Sequence, residues 1–274
     1  MRQALPQTRR TIKRVLFDLH HGAVAEREMP QLSRGRAGAE GRPKRIGHKG
    51  ADALAHGNTA ESFDAALAHG VDMIEFDVIS ERLDGSGELR LAHDFKDARQ
   101  RTPLTLEEGL AYLAQEKFAD LQLDVDMKLQ GYEQRTVDAL QRHGLAERCL
   151  ISSMEKPSLT LLRKIAPQIT IGWSFPRAHR DLTEHRFYRW PAYAAIIYYR
   201  IRLPWMAAKA IRDGRVDALM CHWAFVTPRL ARSIRAAGGE LYVWTVDDAE
   251  QIESFERLGI AGVISNDPRL FSKR

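Results

Sequence analysis

The sequence predicts an α/β chain folded as a single TIM (β/α)8 barrel over residues 45–274, preceded by a basic leader, residues 1–44. Three observations predict it. Short β-branched or apolar runs alternate with helical patterns along the body of the chain, as parallel strands with helices outside them require. Nine candidate strands occupy about 230 residues, the size of one eight-stranded barrel with one run misassigned or lying outside it. No Gly-x-Gly-x-x-Gly follows the first strand pattern, which counts against a doubly wound open sheet.

The elements follow in order. Arg45–His48 reads as a strand and Thr59–His69 as a helix; Met73–Val78 and Leu89–His93 read as strands before a helix over Leu106–Gln115. Leu121–Lys128 is a strand, then Glu133–His143 a helix; Cys149–Ser152 is a strand, then Leu159–Ile165 a helix. Thr170–Trp173 and Ala218–Cys221 are strands, with a helix over Pro228–Ala237. Leu241–Thr245, a helix over Ala249–Leu258 and the strand Gly262–Ser265 close the series. The strand runs are four to eight residues long, and the helical runs repeat their apolar residues every three or four positions.

Composition narrows the class. With 274 residues and 44% apolar content the chain can bury a large core without staples. Two cysteines, Cys149 and Cys221, form neither a disulfide framework nor a metal-ligand spacing. The net charge of +5 is unevenly placed. Residues 1–45 hold eleven Lys and Arg against four Asp and Glu, so the body is slightly acidic. With no nucleic-acid recognition module in sight, a nucleic-acid partner is not expected. No apolar run reaches the length of a membrane span, and Val15–Phe17 is too short for a signal sequence. The expectation is a cytoplasmic protein in peripheral contact with the inner membrane face. In the leader, Thr11–His20 fits a short basic amphipathic helix, but Gln31–Lys44 reads as a Gly/Arg/Ala linker, and the whole is expected to be poorly ordered.

A second positive stretch, residues 177–215, carries nine Lys and Arg against three acids, interleaved with Phe187, Tyr188, Trp190, Tyr193, Tyr198, Tyr199 and Trp205. It reads as an insertion in the barrel. Two uses stay open: an interfacial lid on anionic lipid, or an elaborated helix pair or dimer surface.

Polar residues inside strands carry the chemistry. Alternation puts Glu75 and Asp77 on one face of their strand, and Asp124, Asp126 and Lys128 on one face of another. Carboxylates facing a barrel axis are costly unless something positive sits among them. That cation is either Lys128 or a nearby arginine in a buried ion network, or a hard divalent ion such as Mg²⁺ or Ca²⁺; two such strands favour the metal. His48 and His93 each end a strand pattern, so they join Glu75, Asp77, Asp126 and Lys128 at the C-terminal rim of a parallel barrel. Two imidazoles there suit one general acid and one general base.

These residues carry a resemblance. Ile46-Gly47-His48-Lys49-Gly50, Gly57-Asn58-Thr59 and Ile74-Glu75-Phe76-Asp77-Val78 resemble the opening of the glycerophosphodiester phosphodiesterase family, which has His-Arg-Gly, Glu-Asn-Thr and a Glu-x-Asp strand. His93-Asp94, Asp126-Met127-Lys128, Trp244-Thr245-Val246-Asp247 and Gly262 to Pro268 follow in the family's order. The resemblance implies a TIM-barrel phosphodiesterase with one divalent cation, Mg²⁺ or Ca²⁺. It implies His48 and His93 as the acid/base pair and Glu75, Asp77 and Asp126 as metal ligands. Lys49 and Lys128 would neutralise phosphodiester oxygens, and Trp244 would wall the pocket.

Three positions depart from the family pattern. Lys49 replaces its arginine, Gly57 the glutamate of its Glu-Asn-Thr, and Asp126 the glutamate of its Glu-x-Lys, the last a feature similar to the sphingomyelinase D branch. The expected substrate is a small glycerophosphodiester. Lysophospholipase D or sphingomyelinase D-like cleavage of lipid head groups, and a non-catalytic lipid-binding barrel, stand as alternatives.

Overall fold

The computed structural model describes residues 42–177 and 189–271. The leader up to residue 41, with its Thr11–His20 pattern, falls outside them, as do Phe187, Tyr188 and the side chain of Trp190. Eight parallel strands close on themselves: β1 (Lys44–Gly47), β2 (Met73–Ser80), β4 (Gln122–Met127), β5 (Cys149–Ser153), β6 (Thr170–Phe175), β7 (Ala218–His222), β8 (Glu240–Trp244) and β9 (Gly262–Ser265). Closure comes from β1, which pairs with β2 through Ile46 and Met73 and with β9 through Ile46 and Ile264.

The ninth strand, β3 (Leu89–Arg90), lies outside the barrel, antiparallel to the end of β2. The strand expected over Leu89–His93 therefore stops early. Leu91 donates to the Leu104 carbonyl, and Asp94 caps a short helix, α2 (Phe95–Gln100). The sequence pattern misses α2 because none of its residues is buried, so no apolar stripe marks it.

The other helices are α1 (Ala60–Ala68), α3 (Leu106–Leu113), α4 (Glu133–Arg142), α5 (Lys156–Ile165), α6 (Arg189–Arg212), α7 (Pro228–Ala236) and α8 (Ala249–Arg257). Their starts are written locally. Thr59 and Thr105 form capping boxes with Ser62 and Glu108, and Thr227 caps α7 ahead of Pro228; each cap stabilises by about 1 kcal/mol. In chain order α6 occupies the β6–β7 crossover, so the Arg/aromatic stretch supplies a barrel helix.

Strand alternation separates two apolar regions. Ile74, Phe76 and Val78 of β2, with Leu123, Val125 and Met127 of β4, join the main core. Inside the barrel, Ile46, Met73, Leu150, Ala218, Met220, Tyr242 and Ile264 fill a separate cluster. Gly262 is required there: a Cβ would come within 2.8 Å of Ile46 Cδ1 and 2.9 Å of Tyr242 Cδ1. With this cluster occupied, the polar inward residues of β2 and β4 are the ones further along each strand, toward the C-terminal mouth.

Candidate active site

Register builds the acidic cluster. Parallel pairing of β2 with β4 sets Glu75 beside Asp124 and Asp77 beside Asp126, all four buried. Glu75, Asp77 and Asp126 each offer a carboxylate oxygen within 4.8 Å of the others. Asp124 stays out of that group. It accepts from Ser152 Oγ at 2.7 Å, and burial together with the neighbouring Asp126 pushes it up to about 8.

The Lys128 ammonium ion-pairs with both Asp77 and Asp126. Burial alone would raise Asp77, but Lys128, then His93 and His48, hold it far below the usual carboxylate range. Glu75 goes the other way, raised by burial and by the Asp77 charge. Lys128 is held strongly protonated: Asp126, Asp77 and Glu75 outweigh the burial that would lower it.

The donor set fits a hard divalent cation. Asp126 Oδ1 is buried with no hydrogen-bond partner among the described residues, and Asp77 Oδ1 meets only the ammonium, in ion-pair contact. Three carboxyl groups converge on one directly paired ammonium, and oxygen-only donors suit Mg²⁺ or Ca²⁺ rather than zinc.

A loop from β1 to α1 holds two of these acids. Lys49 and Asn58 both sit in the left-handed region, at φ 51° and 62°. The Lys49 N–H donates to Glu75 Oε2 at 2.8 Å. Asn58 Nδ2 donates to Asp77 Oδ2 and its Oδ1 accepts from the Asp77 N–H, both at 2.9 Å. Asn58 is a site residue quoted from the sequence only as part of a motif.

His48 follows β1 and is oriented from behind. Its Nδ1 is 2.5 Å from Asn266 Oδ1, and Asn266 Nδ2 donates to Asp247 Oδ2 at 2.7 Å. An acceptor at Nδ1 places the ring proton there and leaves Nε2 free, 3.8 Å from Glu75 Oε2. Burial, then Lys49, lowers His48 to about 4. Asn266 and Asp247 were missed as functional residues. The sequence signals were their place in the Trp244 to Asp247 and Gly262 to Pro268 motifs and just past strand ends, like that of His48 itself.

The remaining expected residues surround this centre in different ways. His93 is half-exposed on the loop before α2, not on a barrel strand, with Nδ1 3.5 Å from Asp94 Oδ2; its imidazole is still close enough to help hold Asp77 low. The Lys49 ammonium is bound to Asp52 Oδ2 at 2.9 Å. Asp52 Oδ1 accepts from the Gly57 N–H at 2.9 Å, and a Cβ at Gly57 would come within 2.6 Å of that oxygen. Asp52 and the Lys49 Cβ, 2.7 Å away, thus fill the space a side chain at 57 would need. Trp244 is half-buried at the end of β8, edge-on to His222 at 5.1 Å between ring centroids. His222, at the end of β7, had drawn no notice in the sequence.

Such a site can neutralise an oxyanion-rich ester while a neutral imidazole stands ready for a proton. By fold and site the molecule is a barrel hydrolase of anionic esters. Its family is narrower: residues 48–100 and 114–270 match the Glycerophosphoryl diester phosphodiesterase family, and the chain belongs to it. It is 25% identical over 261 residues to a glycerophosphodiester phosphodiesterase of Caldanaerobacter subterraneus, covering 81% of this chain and 93% of the relative. A glycerophosphodiester phosphodiesterase from Parabacteroides distasonis superposes with a TM-score of 0.63 at 18% identity, over 83% of this chain and 94% of the other. A phosphodiesterase from Oleispira antarctica, solved with its product sn-glycerol-3-phosphate, gives a TM-score of 0.59 at 20% identity, over 83% and 94%. At such identities the solved structures bear on the fold alone.

Proposed function

We propose that the chain hydrolyses glycerophosphodiesters, releasing an alcohol and glycerol phosphate, with one divalent cation, Mg²⁺ or Ca²⁺, held by Glu75, Asp77 and Asp126. The observation that carries this reading is the trio of carboxylates within 4.8 Å, with a buried Asp126 oxygen that has no hydrogen-bond partner among the described residues. The cation, when bound, would polarise a phosphoryl oxygen and lower the charge barrier to attack.

The chain's own residues do the rest. His48, its Nδ1 committed to Asn266, presents Nε2 to take a proton from the attacking oxygen. His93, half-exposed on its loop and near enough to Asp77 to bias it, is in this reading the group that gives the leaving alcohol a proton. Lys128 offers an ammonium to a phosphoryl oxygen as charge builds there. Lys49 adds a second positive charge beside the site, aimed by Asp52, and Trp244 walls the mouth. Residues 45–274 form the catalytic unit, and residues 1–44 are dispensable for chemistry.

Release of glycerol phosphate from glycerophosphocholine, assayed with EDTA and after adding back each cation, tests the reading. Turnover should need the cation and should vanish in His48→Ala and in His93→Ala. Hydrolysis undiminished by EDTA, or a Glu75→Ala variant that binds cation as well as wild type, would overturn it.

A further inference from the structure

The described residues contain six large hydrophobic side chains that are plainly exposed, and four of them, Ile197, Tyr198, Ile201 and Trp205, lie on α6 at 55–61% exposure. At about 100° per residue they fall within roughly 100° of the helix circumference, a single stripe about 12 Å long. The opposite side of the helix is packed: Ile196, Leu203 and Ala207 are buried, and Tyr199 stacks against Phe175 and Phe225. The stripe is therefore surplus to the fold.

Charge says what the stripe faces. Over its 24 residues α6 carries five Lys and Arg and no acid. Of the described side chains, Arg200 turns inward to the Ala224 carbonyl and Lys209 is paired with Asp213, which leaves Arg202 and Arg212 on the exposed side. Arg202 lies over the Trp205 ring, 5.5 Å from its centroid, and among the described residues neither Arg202 nor Arg212 has a carboxylate partner. Beside Trp205 opens a cleft of about 290 Å³ between α5 and α6, whose lining includes Trp173 and Met206 as well as Lys156, Lys209 and Arg215. The chain's first 45 residues, at eleven cations to four acids, have the same sign as this face, and so has a second copy of it. Both would be repelled. An anionic polymer would answer the charge but leave the apolar stripe in water.

We propose that the exposed face of α6 docks on an anionic phospholipid bilayer, with Ile197, Ile201 and Trp205 entering the headgroup boundary and Arg202 and Arg212 meeting lipid phosphates. Aromatic and aliphatic side chains edged by arginines are suited to that boundary, and a negatively charged leaflet attracts each cation held near it. The site in the barrel mouth plays no part in this contact. The face brings the protein to the surface where phospholipid-derived diesters are released.

Flotation of the full-length protein with vesicles of phosphatidylglycerol and phosphatidylcholine, against phosphatidylcholine alone, tests it. Wild type should float with the anionic vesicles and lose binding as salt rises. Arg202→Gln/Arg212→Gln should weaken binding on the order of tenfold, and Ile201→Ser/Trp205→Ala by at least as much. A lipid-borne quencher should dim wild-type emission more than that of Trp205→Phe. All variants should hydrolyse soluble glycerophosphocholine at the wild-type rate, which separates failure of docking from failure of the catalytic reading. Equal flotation of wild type and both double variants would show that the leader alone carries binding, and would overturn the proposal. So would equal binding to zwitterionic vesicles, or a dimer that Ile201→Ser/Trp205→Ala dissociates.

Discussion

Replacing Lys128 with methionine probes the electrostatics of the cluster most directly. Its ammonium is the cation that pairs with Asp77 and Asp126, in a buried setting. Removing one partner of a buried ion pair costs roughly 3–5 kcal/mol. The lower end applies here, because Glu75 is already raised and can take a proton that relieves its neighbours. For a chain of this size each kcal/mol shifts Tm by roughly 2–4 °C, so in EDTA the variant should melt about 6–12 °C below wild type. A divalent cation should reverse the order of the effects. The variant keeps all three carboxylates and loses the competing positive charge, so millimolar Mg²⁺ or Ca²⁺ should raise its Tm more than it raises that of wild type. Turnover should nonetheless fall by about 10²–10³, since the charge facing the phosphoryl group is gone. Thermal unfolding of both proteins, with EDTA and with cation, measures the stability effects, and release of glycerol phosphate from glycerophosphocholine measures the turnover. An unchanged Tm in EDTA, or a cation shift no larger than in wild type, would refute the reasoning.

Other consequences follow from single contacts. Asn266→Ala frees the His48 ring to rotate; kcat should fall by about tenfold or more with KM little changed, and Asp247→Ala should show the same split more weakly, both read from steady-state kinetics. Gly57→Ala forces a Cβ to 2.6 Å from Asp52 Oδ1 and 2.7 Å from Lys49 Cβ and should lower stability by about 1–3 kcal/mol, as read by urea unfolding, with part of the loss recovered in Gly57→Ala/Asp52→Ala. A double variant no more stable than Gly57→Ala would mean that Asp52 is not an obstacle. Asp77→Asn should abolish cation binding in calorimetry while the barrel still folds: the amide oxygen can still accept from Asn58 Nδ2, but its NH2 then faces the Lys128 ammonium where Asp77 gave an ion pair, and cation binding equal to wild type would contradict the assignment.

The acidic cluster was legible because strand alternation is strictly two-residue: Glu75 and Asp77 must share a face, as must Asp124 and Asp126. That the two strands are neighbours, with Asp77 level with Asp126, is a matter of register. His48 was legible as a strand-end residue. Its orientation was not, because Asn266 lies 218 positions away. His93 was expected on a strand end and stands on a loop, since the run pairs with β2 for only two residues, turns to the Leu104 carbonyl at Leu91, and is ended by Asp94 capping α2. The Lys49 to Asp52 pairing spans only three residues, yet it depends on a backbone that passes through the left-handed region at Lys49, which the side-chain pattern does not reveal.

By itself, the sequence determined that this chain makes a parallel barrel and that two of its strands point acids inward, because both follow from short-range periodicity. Its ordered motifs likewise carried the family resemblance. Only the tertiary structure decided which of the four acids converge, which nitrogen of His48 is free, and that α6 leaves an apolar stripe uncovered. Each of those depends on neighbours brought together by barrel closure or helix packing, and such contacts leave no local period in the chain.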